Sequence, residues 1–158
     1  MATVIRGDDN WDTALKAGSE AFAARFTSGA WGSYSDGAIV PFNNASTGDS
    51  FDTGSNYNTA TYKYVAPTTG VYTFWASVYT AQNDSDNRFS FFTNGTRINY
   101  QYDSGSSCLA FGSGTASDHI LAFSAVISLA VGDEVSVNAC EQSDVYGGNS
   151  SWGGCRLS

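Results

Sequence analysis

An all-β sandwich or jelly roll is the fold class that this sequence predicts, on three observations. From residue 20 onward, apolar and β-branched residues alternate in short runs, which is the pattern of strands with one buried face. Gly, Asn and Asp separate these runs, and such residues favour the tight turns that join strands. The 158 residues include 17 glycines and two prolines, as expected for one domain built from several short strands.

The clearest strand is "VYTFWASVY", residues 71–79. Strand side chains alternate between two faces, so every second residue from Tyr72 to Val78 shares one face. That face is apolar throughout, and we predict that it belongs to the core. The opposite face carries Trp75 and Tyr79, which make it too apolar for a freely solvated surface.

Two turns are predicted within the strand-rich region. In "RFSFFTNGTRINYQY", Asn94 and Gly95 supply the positive φ angles that a two-residue primed turn requires. This segment is therefore predicted to form a hairpin. In "FSAVISLAVGDEVSVNA", Gly132 and Asp133 separate two further apolar runs, and we expect a turn there with a strand on each side.

The first 19 residues differ from the rest. In "DDNWDTALKAGSE", Asp12 precedes "TALKAG", an N-cap pattern for one or two helical turns. We interpret residues 1–19 as an N-terminal anchoring extension and residues 20–158 as the domain. The start "MATVIRGDDNWDT" lacks the apolar region of a secretory signal, so we expect synthesis in a cytoplasm and release with a particle.

The charge, the apolar content and the cysteines limit which partners the protein can bind and where in the cell it can act. The net charge is −8 with seven Lys and Arg residues, which offers no basic stripe for nucleic acid. No window approaches the ~18 apolar residues of a membrane-spanning helix. Cys108, Cys140 and Cys155 are an odd number without metal-site spacing. We expect free, buried thiols, with a Cys140–Cys155 disulfide as the alternative.

A set of spaced aromatic residues carries a family resemblance. Asp52 is followed by an aromatic five residues on, Tyr57, by another seven further on, Tyr64, and then by Gly-x-Tyr-x-Phe at 70–74. This pattern resembles the globular head domain of complement component one, subcomponent q, among the tumour necrosis factor-like jelly rolls. Five other segments agree in order: "EAFAARFTS", "IVPFNN", "FFTNGTRI", "ISLAVGDEVSV" and "SSWGGCRLS". Tyr64 departs from the pattern, since it replaces the usual Phe.

The resemblance implies a ten-stranded jelly-roll sandwich that assembles as a homotrimer. It also implies that the Gly-Val-Tyr strand lies in the sheet facing the threefold axis. Thr73, Trp75 and Tyr79 are then predicted contacts between subunits. This agrees with the apolar character of their strand face, because aromatic residues contribute strongly to buried interfaces.

Catalytic and metal chemistry have little support in the sequence, and we expect no enzyme. His119, beside Asp118, is the only histidine, and "FGSGTAS" lacks the Gly-x-Ser-x-Gly spacing of a strained nucleophile turn. Asp84 and Asp86 in "NDSDNR" form an oxygen cluster of the kind that Ca²⁺ accepts, without the other positions of an EF-hand. A solvated turn is the alternative to this candidate calcium site.

Ligand recognition is expected in loops, since loops at the end of a rigid sandwich carry function. The candidate segments are "GAWGSYSDG", "YTAQNDSDNR", "QYDSGSS" and "EQSDVYGGNSSW". Their aromatic residues are candidates for stacking on sugar rings: Trp31, Tyr34, Tyr102, Tyr146 and Trp152. The alternative is that these rings close strand ends or contact other subunits.

Two functional classes follow from these observations. The first is a trimeric virion surface protein, such as a capsid decoration, knob or fibre tip of a bacteriophage. It would bind capsid or tail proteins through its N-terminus and contact a glycan on the host surface. The second is a secreted recognition or cytokine-like signalling module, which would be extracellular.

Overall fold

The structure, a computed structural model, describes residues 20–80, 87–98, 108–112 and 119–157. Within these ranges the chain forms strands and one turn of 3₁₀ helix at Gly147–Asn149. The strands are β1 (Ala21–Arg25), β2 (Trp31–Tyr34), β3 (Phe51–Asp52), β4 (Tyr57–Asn58), β5 (Lys63–Val65), β6 (Gly70–Thr80), β7 (Asn87–Thr93), β8 (Thr96–Arg97), β9 (Ala110–Gly112), β10 (His119–Leu129), β11 (Glu134–Ala139), β12 (Ser143–Tyr146) and β13 (Ser151–Arg156).

Two antiparallel sheets pack face to face. The seven-stranded sheet has the order β2-β12-β6-β13-β1-β3, with β10 paired to β6, and the six-stranded sheet has the order β4-β5-β11-β7-β8, with β9 paired to β7. This arrangement confirms the predicted jelly-roll sandwich. Short strands of two or three residues, such as β3 and β9, bring the number above the expected ten within the described residues.

Strand β6 is the central strand of the seven-stranded sheet. It pairs with β10 along its full length, from Gly70↔Leu129 to Thr80↔His119, and with β13 on its other side. Its inward side chains are at most 2% exposed, and they are Tyr72, Phe74, Ala76 and Val78. The predicted core face is thus confirmed, and the alternate side chains of β6 point away from the core.

Aromatic rings fill the space between the sheets. The Phe22 ring stacks against Tyr57 and Tyr64, with ring centroids 5.1 and 4.8 Å away. Trp152 meets the same Phe22 ring edge-on at 4.7 Å. Offset and edge-to-face contacts of this kind add to the stabilisation that burial provides. Phe22, Tyr64 and Trp152 are nearly inaccessible to solvent.

The two predicted turns have different roles. Asn94 and Gly95 have φ angles of 51° and 78° and join β7 to β8, which confirms the predicted hairpin. Gly132, with φ of 88°, lies between β10 and β11, but these strands belong to different sheets. The second turn therefore carries the chain from one sheet to the other.

Three segments differ from the sequence-based expectation. "GAWGSYSDG" and "EQSDVYGGNSSW" were expected to be loops, but they contain β2, β12 and the start of β13. For "IVPFNN", residues 39–44, the family resemblance implies a strand; these residues instead make two isolated bridges, Ile39↔Asn138 and Asn44↔Arg25. The bridges lie in different sheets, because this segment crosses between the sheets.

The cysteine expectation was wrong. Cys108 and Cys140 form a disulfide with Cα atoms 6.4 Å apart, and Cys155 is the free cysteine. A Cys140–Cys155 bridge is not formed either, since Cys140 follows β11 of the six-stranded sheet whereas Cys155 lies on β13 of the other sheet. Short-range sequence spacing does not reveal a pairing that depends on which strands become neighbours.

Candidate functional site

The outward side of the seven-stranded sheet presents a surface that we call the open face. Cross-strand pairing aligns its residues in three rows. The first row is Phe51, Ala23, Gly153, Trp75 and Ser124; the second is Ala21, Cys155, Thr73 and Val126; the third is Arg25, Ser151, Ser77 and Ala122. Arg25, at one edge, is the only charged member of these rows.

Large apolar side chains stand on this surface of small residues. Phe51, Trp75 and Val126 are 47%, 42% and 57% exposed. A Cβ atom on Gly153 would lie only 2.8 Å from Cζ2 of Trp75, so the indole of Trp75 lies across β13 at the position where a side chain is missing. The open face is therefore flat, nearly uncharged and apolar.

The predicted interface residues Thr73, Trp75 and Tyr79 all lie on the outward side of β6. Sequence reasoning missed their partners on other strands, among them Phe51, Val126 and Cys155. The sequence contains a pattern that could have identified these strands as part of the face. "AFAAR" in β1 and "SWGGCR" in β13 place small residues at every second position. Such residues allow another surface to approach the backbone closely.

Three aromatic side chains from separate strands form a second feature, the aromatic cluster of Trp31, Tyr79 and Tyr146. The ring centroids of Trp31 and Tyr146 are 5.1 Å apart, and that of Tyr79 lies 5.9 and 5.7 Å from those of Trp31 and Tyr146. Trp31 is 48% exposed. The cluster combines one predicted interface residue with two predicted ligand residues, and it adjoins the open face through the pair Tyr79↔Ile120.

The other predicted ligand residues are not part of this cluster. Trp152 is 0% exposed and packs in the core, so its proposed role in ligand binding was wrong: β13 turns its ring inward. Tyr34 packs partly against the core, because it lies on the opposite face of β2 from Trp31. Burial is the larger of two causes that raise the pKa of the Tyr34 hydroxyl, and repulsion from Tyr62 is the smaller.

A groove that we call the sheet-end groove lies beside the aromatic cluster. Its volume is about 510 Å³, and it is lined by Arg25, Phe26, Thr27, Ser28, Gly29, Asn44, Thr47 and Gly148. A smaller groove of about 340 Å³ adjoins it and shares Arg25 and Gly148, with Asp49 and Asn149 also among its lining residues. The sheet-end groove is lined mostly by hydroxyl, amide and backbone groups, whereas the smaller groove also has Ala23, Ala24 and Trp75 on its wall.

Several predicted residues lie outside the described ranges: Tyr102, Asp84 and Asp86 of the candidate calcium site, Asp118, and the extension of residues 1–19. Within the ranges that are described, no three His, Cys, Asp or Glu side chains gather as metal ligands would. The same part of the chain contains no helix of the length and apolarity needed to cross a bilayer.

Solved structures show the same fold. Eiger TNF from S. frugiperda aligns over 89% of this chain and 94% of its own, with a TM-score of 0.67 and 14% identity. The globular domain of zebrafish complement 1qA protein aligns over 89% and 98%, with a TM-score of 0.64 and 14% identity. Murine APRIL at pH 5.0 aligns over 88% and 99%, with a TM-score of 0.62 and 10% identity.

A comparison with curated proteins found no match to this chain. The family comparison is positive, since residues 21–153 match the C1q domain, the globular head domain that the sequence resembles. Domains of the C1q and tumour necrosis factor type typically form homotrimers and are recognition or signalling modules rather than enzymes. With a match over most of its length, the chain belongs to the C1q domain family.

Proposed function

We propose that this chain forms a homotrimer through the open face, with Thr73, Trp75 and Tyr79 among the subunit contacts. The observation that carries the proposal is the apolar, nearly uncharged character of that face, on which Phe51 and Trp75 are almost half exposed. An apolar patch of this kind marks an interaction site, since a monomer would leave it in contact with water. The homotrimers typical of the family support the same assignment.

The oligomeric state and the reactivity of Cys155 test this proposal together. Cys155 is the free cysteine and lies between Thr73 and Ala21 in the second row of the open face. We expect a trimer by sedimentation velocity at micromolar concentration, and slow alkylation of Cys155 until dilution or a mutation separates the subunits. A monomer with rapidly alkylated Cys155 at that concentration would overturn the proposal.

We further propose that the trimer is a virion surface protein: a decoration, knob or fibre tip that residues 1–19 anchor to capsid or tail proteins. Its composition supports this setting, because the surface depends on Ser, Thr, Asn and Gly with seven Lys and Arg residues. Three copies of a weak recognition site on one rigid trimer would raise avidity for a host surface without stronger single contacts.

Particle incorporation tests the virion role. The expected result is that the full chain co-sediments with purified particles, whereas a variant lacking residues 2–19 stays in the supernatant as an intact trimer. Incorporation of the deletion variant at the wild-type level would contradict the anchoring role. Absence of the full chain from particles would contradict the virion role itself.

One observation favours the second candidate, a secreted recognition or signalling module. The Cys108–Cys140 disulfide is a kind of bond that persists mainly in oxidising surroundings such as the extracellular space. Proteins of this family are often secreted. The same co-sedimentation measurement separates the candidates, because a secreted module would be found in the medium of cells that carry no particles.

A further inference from the structure

The sheet-end groove has the size of a small-ligand site and a mostly polar lining. Its volume of about 510 Å³ falls within the ~300–1,000 Å³ that is usual for ligand pockets. The hydroxyl-bearing residues Thr27 and Ser28 are exposed on its wall. Neither side chain makes a hydrogen bond to any other residue that the structure describes, so both hydroxyls are available to a ligand.

Hydrogen bonds hold the two walls of the groove together. Arg25 and Asn44 exchange backbone hydrogen bonds of 2.9 Å in both directions, and the Thr27 N–H donates to Oδ1 of Asn43 at 2.8 Å. Nη2 of Arg25 donates to the carbonyl oxygen of Thr47 at 3.2 Å. The groove is therefore preformed, which reduces the ordering cost of binding a ligand.

An aromatic platform borders the same groove. A Cβ atom on Gly29 would lie 2.7 Å from the Tyr146 hydroxyl oxygen, and one on Gly148 would lie 2.6 Å from Cε1 of Tyr146. Both glycines line the groove, so they leave the Tyr146 ring at its margin. Trp31, whose ring is tilted by 45° to that of Tyr146 with the centroids 5.1 Å apart, extends the platform and exposes about half of its surface.

We infer that the sheet-end groove, together with Trp31 and Tyr146 of the aromatic cluster, binds an uncharged saccharide. A sugar ring presents C–H groups on its faces and hydroxyls at its rim. The C–H groups match the electron-rich faces of Trp31 and Tyr146, and the hydroxyls match Thr27, Ser28 and, in the adjoining groove, Asn149. The net charge of −8 disfavours anionic glycans such as sialylated or sulfated ones.

The site remains accessible in the proposed assembly. Apart from Arg25, none of the residues lining the sheet-end groove belongs to the three rows of the open face, so covering those rows leaves most of this groove exposed. The adjoining groove is lined in part by Ala23, Trp75 and Ser151 of those rows, and it would be partly covered. The inference deepens the recognition role proposed above and rests on it. It also assigns Trp31 and Tyr146 to ligand binding rather than to subunit contact.

The test uses the full chain and a glycan array that pairs neutral oligosaccharides with their sialylated and sulfated forms. Hits are then titrated by calorimetry. We expect neutral oligosaccharides to bind, Trp31→Ala to weaken binding at least ~10-fold, and Trp31→Phe to retain it within ~3-fold, because Trp and Tyr anchors dominate binding energy. Val131→Ala removes another exposed apolar side chain, from the distant β10–β11 turn, and is the control.

Each outcome bears on the inference separately from trimer formation. Binding of no neutral saccharide by a trimeric protein, preference for charged glycans, or unchanged binding by Trp31→Ala would overturn it while leaving the trimer standing. If Trp31→Ala or Trp31→Phe separates the subunits in sedimentation, the cluster is a subunit contact and the inference fails. A wild-type monomer that binds neutral saccharide through Trp31 would uphold the site and overturn the trimer.

Discussion

The outward sides of the two sheets differ in how they are covered. On the six-stranded sheet, Lys63 and Glu134 form an ion pair at 2.6 Å, and Arg97 reaches Asp36 at 2.8 Å while lying over the Phe92 ring. The Asn138 side-chain amide donates to the carbonyl oxygen of Gly37. The seven-stranded sheet instead presents the open face, with exposed Phe51, Trp75 and Val126.

This difference supports the proposed subunit contacts on the open face. Residues 36–39 of the same chain cross the six-stranded sheet and are hydrogen-bonded or bridged to it, so the polar groups there are satisfied within the subunit. On the open face, small side chains surround Phe51 and Trp75, which are almost half exposed. We propose that the other copies of the chain in the trimer bury these two rings, since a monomer would leave them in contact with water.

The largest expected effect comes from placing a charge on the open face, because the proposed subunit contacts require that face to be apolar. Trp75→Arg would place an uncompensated guanidinium in the proposed interface, at a cost of ~3–5 kcal/mol or more. We expect sedimentation to show a folded monomer at concentrations where the wild type is trimeric.

The matched control places the same charge on the other sheet. Val65→Arg lies opposite Glu134 on the six-stranded sheet, where an ion pair can form, and the trimer should persist. Equal loss of assembly in both variants would contradict the distinction between the two faces, and a Trp75→Arg trimer would contradict the interface itself.

Substitution of the cysteines provides a second way to compare the two sheets. Cys140→Ala removes the disulfide that connects β9 to the end of β11 in the six-stranded sheet, and closing its loop of 32 residues is worth ~3–4 kcal/mol. Cys155→Ala removes only a half-buried thiol from the open face, so its unfolding free energy should change by less than ~1 kcal/mol. Denaturant unfolding under non-reducing conditions measures both, and equal losses would contradict the disulfide assignment.

Two tyrosines in the core between the sheets provide a third comparison. Their substitution should change the stability of the fold without altering the outward side of either sheet. The Tyr57 hydroxyl donates to the carbonyl oxygen of Phe42 and accepts from Nε1 of Trp152, so Tyr57→Phe should cost ~1–2 kcal/mol. The buried Tyr64 hydroxyl has no partner among the described residues, so Tyr64→Phe should be neutral or stabilising by up to ~1 kcal/mol.

Thermal unfolding measures this pair of variants, since ~1 kcal/mol shifts Tm by ~2–4 °C in a domain of this size. Both variants should remain trimeric. A larger loss for Tyr64→Phe than for Tyr57→Phe would show that the Tyr64 hydroxyl has a partner elsewhere in the chain.

The smallest expected effect concerns pH and the turns at one end of the sandwich. Hydrogen bonds from the Asn94 side chain and the Ala130 N–H lower the pKa of Asp133 below its ordinary value of 3.8. A lowered folded-state pKa stabilises the fold fully above 3.8, and this contribution is lost as the pH falls through the folded-state value. Because Asp133 is exposed, the change should be small.

The difference in Tm between wild type and Asp133→Asn, measured from pH 7 downward, checks this dependence. The difference should be constant at neutral pH and should shrink in acid. Asp49→Asn, which removes an exposed carboxylate outside the turn, controls for net charge. A difference that grows as the pH falls would contradict the assigned direction of the shift.

Local sequence patterns determined the fold class, the buried side of β6 and the Asn94-Gly95 turn. These properties depend on alternation within one strand or on the φ preferences of adjacent residues, so neighbouring residues suffice to predict them. The side of β6 that carries Trp75 and Tyr79 was predictable for the same reason.

Only the tertiary structure decided which strands become neighbours. It placed Trp31 beside Tyr146 through the pairing of β2 with β12, turned Trp152 into the core and joined Cys108 to Cys140. It also brought Phe51, Gly153 and Trp75 into one row. Each of these contacts depends on the register between strands that are distant in sequence, which is set by how both sheets bury their aromatic core and not by any short stretch of residues.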